Sequence, residues 1–149
     1  MAIGADQAAG HFFPHQLPAA IKLARAFPEQ AFILDHIGKP AIKSGVMNPW
    51  ADLISELAAL PNVSCKVSGM ITEADWINWK PADFKPFLDV VFAAFGPDRV
   101  IYGSDWPVCL LAGGYGRVYE LARDYAHQFG ENAGAKFLGE NATAFYGLK

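Results

Sequence analysis

The sequence predicts an α/β fold organised around a parallel sheet, and three observations lead there. Helical stripes alternate with short apolar runs; the runs are nearly continuous in apolar residues; and each ends abruptly in polar residues able to do chemistry. A strand covered on both faces reads as an unbroken apolar run, and strand–helix alternation is the pattern of βαβ units.

The first helix opens at Leu17: Leu17, Ala20, Ile21, Ala24 and Phe27 follow helical spacing, Lys22 and Arg25 lie off that stripe, and Pro18 suits a first turn. After Pro28, Ala31-Phe32-Ile33-Leu34 reads as a strand that stops at Asp35-His36. Asn48 and Pro49 make a cap and first turn for a helix through Leu60, with Trp50, Leu53, Ile54 and Leu57 as its stripe. Val63 to Val67 is the second strand, interrupted by Lys66 and running into Ser68-Gly69; Trp76 and Trp79 lie in the loop beyond.

Phe84, Phe87, Leu88, Val91 and Phe95 form the strongest helical stripe, with Pro86 in its first turn and Gly96-Pro97 ending it. Arg99-Val100-Ile101-Tyr102 is the third strand and leads to Gly103-Ser104-Asp105. A long helix marked by Val118, Leu121, Ala122, Tyr125 and Phe129 follows, and shorter helical pieces close the chain.

The bulk numbers narrow the function classes. A chain of 149 residues with 52% hydrophobic and 18% charged residues makes one globular domain. A net charge of −3 with scattered Lys and Arg gives no footprint for nucleic acid or an anionic membrane, which leaves a small-molecule substrate. Cys65 and Cys109 are far apart, so neither a disulfide framework nor a thiolate metal site is indicated, and a reducing cytoplasmic location fits. The run from Val90 to Phe95 is far short of the ~20 residues of a membrane span. The N-terminus lacks the pattern of a secretory leader. Residues 1–12, rich in Ala and Gly, read as an unstructured lead, and 13–149 as the domain.

In parallel α/β proteins ligands bind at the C-terminal ends of the strands. Asp35-His36, Ser68 and Ser104-Asp105 would gather there on one face. A carboxylate beside an imidazole suits hydrolysis, since Asp takes a proton from water while His polarises a carbonyl or holds a metal.

The local sequences Ile33-Leu34-Asp35-His36-Ile37-Gly38-Lys39-Pro40 and Val100-Ile101-Tyr102-Gly103-Ser104-Asp105-Trp106-Pro107 resemble the late strands of the amidohydrolase-related family, in its branch of sugar lactonases that act on fuconolactone or rhamnonolactone. Asn62 to Gly69 resembles the strand between them, and Gly139 to Leu148 the family's C-terminal signature, so the likeness covers residues 14–148. The resemblance implies the C-terminal part of a TIM-like (β/α)8 barrel, with Asp105 ending the eighth strand as general base and later acid, and His36 near the sixth. It also implies a lactone or related cyclic ester as substrate, either a sugar or an aromatic lactone. Ser68, Trp106 and Lys39 are then the candidate substrate-binding residues, and His36 and Asp105 the ligands of any divalent metal such as zinc. Metal use stays open, because the resemblance reaches both metal-dependent and metal-free members.

The family's H-x-H pair is absent, since His11 and His15 are four apart around Phe12-Phe13-Pro14, and Pro14 argues against a helix that would face them together. A complete barrel needs about 250 residues and eight strands. Two other readings therefore stand beside the lactonase: a catalytically incomplete fragment lacking the H-x-H half, and a small open-sheet α/β module that binds a ligand at the same strand ends. Either barrel reading leaves strand edges uncovered, which predicts a homo-oligomer or association with the missing barrel half.

Several polar features also have plain structural readings. Gly113-Gly114-Tyr115-Gly116 presents backbone N–H groups to an anion or is a flexible link; Trp76 and Trp79 line a sugar-binding mouth or simply cover the barrel end.

Overall fold

The computed structural model describes residues 7–10 and 13–148. Four parallel strands lie side by side in chain order: β1 (Gln7–Gly10), β2 (Ala31–Leu34), β3 (Val63–Val67) and β4 (Val100–Tyr102). Their crossovers are α1 (Leu17–Ala26), α2 (Trp50–Ala58) and α3 (Pro81–Phe95), and α4 (Tyr115–His127) follows the last strand. The chain closes through α5 (Glu131–Ala135), a π-helical turn at Lys136–Glu140 and α6 (Asn141–Tyr146).

The three expected strands fall at their expected places, Phe32 opposite Val63, Leu34 opposite Cys65, and Cys65 opposite Val100. β1, paired with β2 from Gln7–Ala31 to Gly10–Leu34, lies within residues 1–12, which read from sequence as an unstructured lead. Its Gln-Ala-Ala-Gly sequence has little intrinsic strand preference, so pairing with β2 rather than propensity makes it a strand. His11 lies outside the described residues, and His15 is exposed in the 3₁₀ turn Pro14–Gln16.

Side chains alternate across a strand. Leu34, Val63, Cys65, Val67 and Val100 therefore face the helices and join Leu17, Ile21, Trp50, Ile54, Phe84, Phe87, Leu88 and Val91 in one buried core. Burying each of these large side chains stabilises the fold by about 1.5–3 kcal/mol. The opposite face carries Ile33 and Ile101, both buried, and the polar pair Asp35 and Lys66, bonded at 2.6 Å. Lys66 is thus no interruption of β3: it belongs to a face that is partly polar, while the Val63-Cys65-Val67 face is apolar.

Three helix boundaries differ from expectation. α3 begins at Pro81, where the Asp83 carboxylate accepts the Lys80 N–H at 2.8 Å, so Pro86 sits beyond the first turn. Pro49, not Asn48, precedes the first residue of α2. Phe129 lies past the end of α4, stacked on Phe92 with ring centroids 5.2 Å apart.

The N-terminal end of the sheet is tied by side chains that donate to loop carbonyls. The Asn62 amide reaches the carbonyls of Ala24, Phe27 and Gln30 at 3.0–3.1 Å. The Arg99 guanidinium reaches those of Ala58, Leu60 and Val63, and Asn141 those of Pro97 and Val100. These bonds satisfy backbone groups where strands begin and leave the opposite end of the sheet for chemistry. Among the described residues no helix is long and apolar enough to cross a membrane.

Candidate active site

The chain leaves β2 in an unusual conformation. His36, Ile37, Gly38 and Lys39 all have positive φ, at 54°, 47°, 70° and 47°. A β-branched residue there is strained by roughly 1–2 kcal/mol, so surrounding structure must hold it. Ile37 is fully buried, and its carbonyl accepts the Trp50 indole N–H at 2.8 Å. This left-handed turn carries His36 toward the end of β3.

There His36 meets Ser68 and Gly69. His36 Nδ1 is 2.8 Å from Ser68 Oγ, and Ser68 is only 1% exposed. A Cβ placed on Gly69 would stand 2.7 Å from His36 Nδ1, closer than real Cβ atoms come, so glycine supplies the space in which the imidazole rests. With Nδ1 engaged by Ser68, Nε2 is directed to Asp105, whose Oδ1 is 3.7 Å away.

Asp105 follows β4 with φ 56°, a conformation Asp tolerates better than most residues. Its backbone carbonyl accepts the Cys109 N–H at 2.9 Å, and Trp106 N–H reaches Ser104 Oγ at 3.3 Å. The side chains of His36 and Asp105 are 12% and 15% exposed, shielded but not sealed from solvent. At 3.7 Å they are too far apart to bond each other well, but one oxygen at about 2.8 Å from both can hydrogen-bond to each.

Beneath this pair, Asp35 bonds Lys66. Burial opposes the Lys66 charge, but the bond to Asp35 outweighs it, with Tyr146 assisting, and the ammonium is held above its ordinary pKa. Both thiols are buried; burial, aided by Asp35 at Cys65 and by Asp105 at Cys109, pushes their pKa values up and keeps them from acting as thiolates.

The strand ends thus bring together His36, Ser68 and Asp105. Lys39 is placed otherwise: its ammonium is 2.6 Å from Oε1 of Glu73, a residue that no sequence pattern singles out, so it does not present a lone cation. Trp106 is 65% exposed beside Asp105. Trp79 is buried against Phe84, its indole N–H on the Ala112 carbonyl and Arg117 stacked 3.8 Å from its ring. Trp76 remains half exposed, its N–H on the Thr72 carbonyl. The Gly113-Gly114 link runs directly into α4.

For a metal ion, His36 Nε2 and an Asp105 oxygen offer two donors. Zinc sites use three or four protein ligands. Among the described residues no group of three His, Cys, Asp or Glu side chains converges, so these residues do not by themselves fit a zinc ion.

Comparison with known proteins shows the family of the chain. The family model described as amidohydrolase matches residues 3–148. An L-fucono-1,5-lactonase of Burkholderia multivorans is 41% identical over 123 residues, which cover 76% of this chain and 42% of that protein. An L-fucono-1,5-lactonase of Burkholderia ambifaria is 40% identical over 141 residues, covering 89% of this chain and 47% of its own length. A solved zinc-bound amidohydrolase of Burkholderia multivorans superposes with a TM-score of 0.88 at 36% identity, covering 96% of this chain and 53% of that one. The chain spans about half the length of the curated relatives it matches. Its four parallel strands are part of a TIM-like barrel, and the chain belongs to the amidohydrolase family.

Proposed function

We propose that this chain carries the acid–base half of a hydrolase for lactones or related cyclic esters. The observation that supports it is the approach of His36 Nε2 to within 3.7 Å of Asp105, on a shielded site at the C-terminal ends of parallel strands. Asp105 takes a proton from water, the water oxygen bonds to the carbonyl carbon, and the ring C–O bond breaks. Asp105 then returns the proton to the departing ring oxygen. His36, fixed through Nδ1 by Ser68, polarises the carbonyl through Nε2. Trp106 supplies an exposed apolar face at the entrance. The lactonase names of the relatives support the substrate class.

The test is base consumption by the 149-residue chain on sugar and aromatic lactones, with zinc added or chelated. Turnover that falls at least about 10²-fold in Asp105→Asn supports the proposal. No turnover under any condition supports the second reading, a catalytically incomplete piece. That reading is favoured by the two-donor site and by coverage of about half of each relative.

Association also belongs to this proposal. Among the described residues β1 and β4 each pair on one side, and Trp106, Val108, Leu110 and Leu111 beyond β4 are exposed. Open edges beside apolar residues favour contact with a second copy or with a complementary barrel half. A dimer or larger species by light scattering is expected.

A further inference from the structure

The loops that deliver His36 and Ser68 also deliver a second polar pair. Lys39 lies three residues beyond His36, and Glu73 ends the 3₁₀ turn Ile71–Glu73 that follows Ser68-Gly69. Their charged groups meet at 2.6 Å, with side chains 23% and 24% exposed, so the pair is neither sealed nor fully solvated. The Lys39 ammonium is 5.7 Å from the centroid of the Phe13 ring, which is half exposed and stacked near-parallel with His15.

A lone lysine at this position would draw an anionic ligand. Glu73 cancels that charge, and its carboxylate repels a second anion at close range. The ammonium keeps donors and the carboxylate keeps lone pairs beyond the one bond they share. Adjacent hydroxyls on a sugar ring each donate and accept, and they match such a mixed pair. The C–H face of the same ring suits a flat aromatic surface such as Phe13.

We propose that Lys39, Glu73 and Phe13 form a recognition patch for the vicinal hydroxyls of an uncharged sugar lactone, and that Glu73 discriminates against lactones bearing a carboxylate or sulfonate. This rests on the lactone-hydrolase reading and names the substrate class of that site. If the pair only ties two loops together, its loss would affect every ligand alike.

The experiment titrates the 149-residue chain by NMR with two lactams, which resist hydrolysis: a neutral hexono-1,5-lactam and the corresponding hexaro-1,5-lactam with a carboxylate at C6. The wild type is expected to bind the neutral lactam about tenfold tighter. Glu73→Gln is expected to weaken the neutral lactam about tenfold and to strengthen the anionic one, reversing the preference. Should Glu73→Gln fail to fold, Phe13→Leu keeps the apolar contact but removes the flat face, and is expected to weaken the neutral lactam several-fold. Equal effects of Glu73→Gln on both lactams, no effect on either, or no binding of the neutral lactam to the wild type would overturn the patch. Turnover of lactones is read separately. Charge-selective binding without hydrolysis upholds the patch and sinks the hydrolase reading, whereas hydrolysis without charge selectivity does the reverse.

Discussion

His36 and Ser68, 32 residues apart in the chain, meet at 2.8 Å between Nδ1 and Oγ, and this contact fixes which imidazole nitrogen looks toward Asp105. On the proposed mechanism, the serine bonded to one ring nitrogen sets how the histidine presents the other. Ser68→Ala is expected to lower kcat about tenfold with little change in KM, because His36 stays present but loses its alignment. The missing hydrogen bond should cost about 1 kcal/mol of stability, measurable by urea denaturation. A wild-type kcat in the alanine variant would show that His36 is held by other contacts.

Gly69→Ala should be more damaging than its size suggests. The added methyl would stand 2.7 Å from His36 Nδ1, and Gly69 has φ of 61°, which alanine resists. The expectation is a loss of about 1–3 kcal/mol and displacement of the ring, seen as shifted His36 resonances. An unperturbed His36 spectrum would count against the close packing described.

Trp50→Phe removes the indole N–H that holds the Ile37 carbonyl in the left-handed turn. Phenylalanine keeps most of the apolar contact with Phe87, so the loss is chiefly of a buried bond. A destabilisation of about 1–3 kcal/mol follows, with turnover falling further than that of surface variants. Equal stability of variant and wild type would mean that the turn does not need this support.

The Tyr102 hydroxyl is buried with no hydrogen-bond partner among the described residues, and burial, more than the neighbouring Tyr115, Cys109 and Tyr119, pushes its pKa to about 12. Removing an unsatisfied polar group relieves a desolvation cost. Tyr102→Phe is therefore expected to be neutral or up to about 1 kcal/mol more stable by thermal melt. A clear loss of stability would reveal a partner.

Asp89, on α3, is held below the usual carboxylate range by its bond to Lys85 and by the Tyr125 hydroxyl, which donates to it at 2.8 Å. Because the folded value is depressed, the stabilisation is fully present above the unfolded value near 4 and fades as pH falls through the folded one. The groups are largely solvated, so only a few tenths of a kcal/mol are at stake. Tyr125→Phe should raise the Asp89 value in a carboxyl NMR titration; an unchanged titration would rule out the bond.

Much of this arrangement was legible in the residues. Ala31-Phe32-Ile33-Leu34 and Val100-Ile101-Tyr102 are apolar enough that little but a covered strand suits them, and the stripe from Phe84 to Phe95 leaves one face to bury. Strands that end in Asp-His and Ser-Asp point to chemistry at one end of the sheet. β1 was not legible, because its strand state comes from pairing with β2.

The sequence by itself determined the order of three of the four strands and of the helices between them, and the polar residues at the strand ends, since period and composition are local properties. Tertiary structure alone decided that four residues in a row turn left-handed, that the imidazole lies against Gly69, and that Lys39 is neutralised by Glu73. Each of these joins residues distant in the chain or overrides a local backbone preference. Such choices are settled only when packing around Ile37 and Trp50 outweighs the strain.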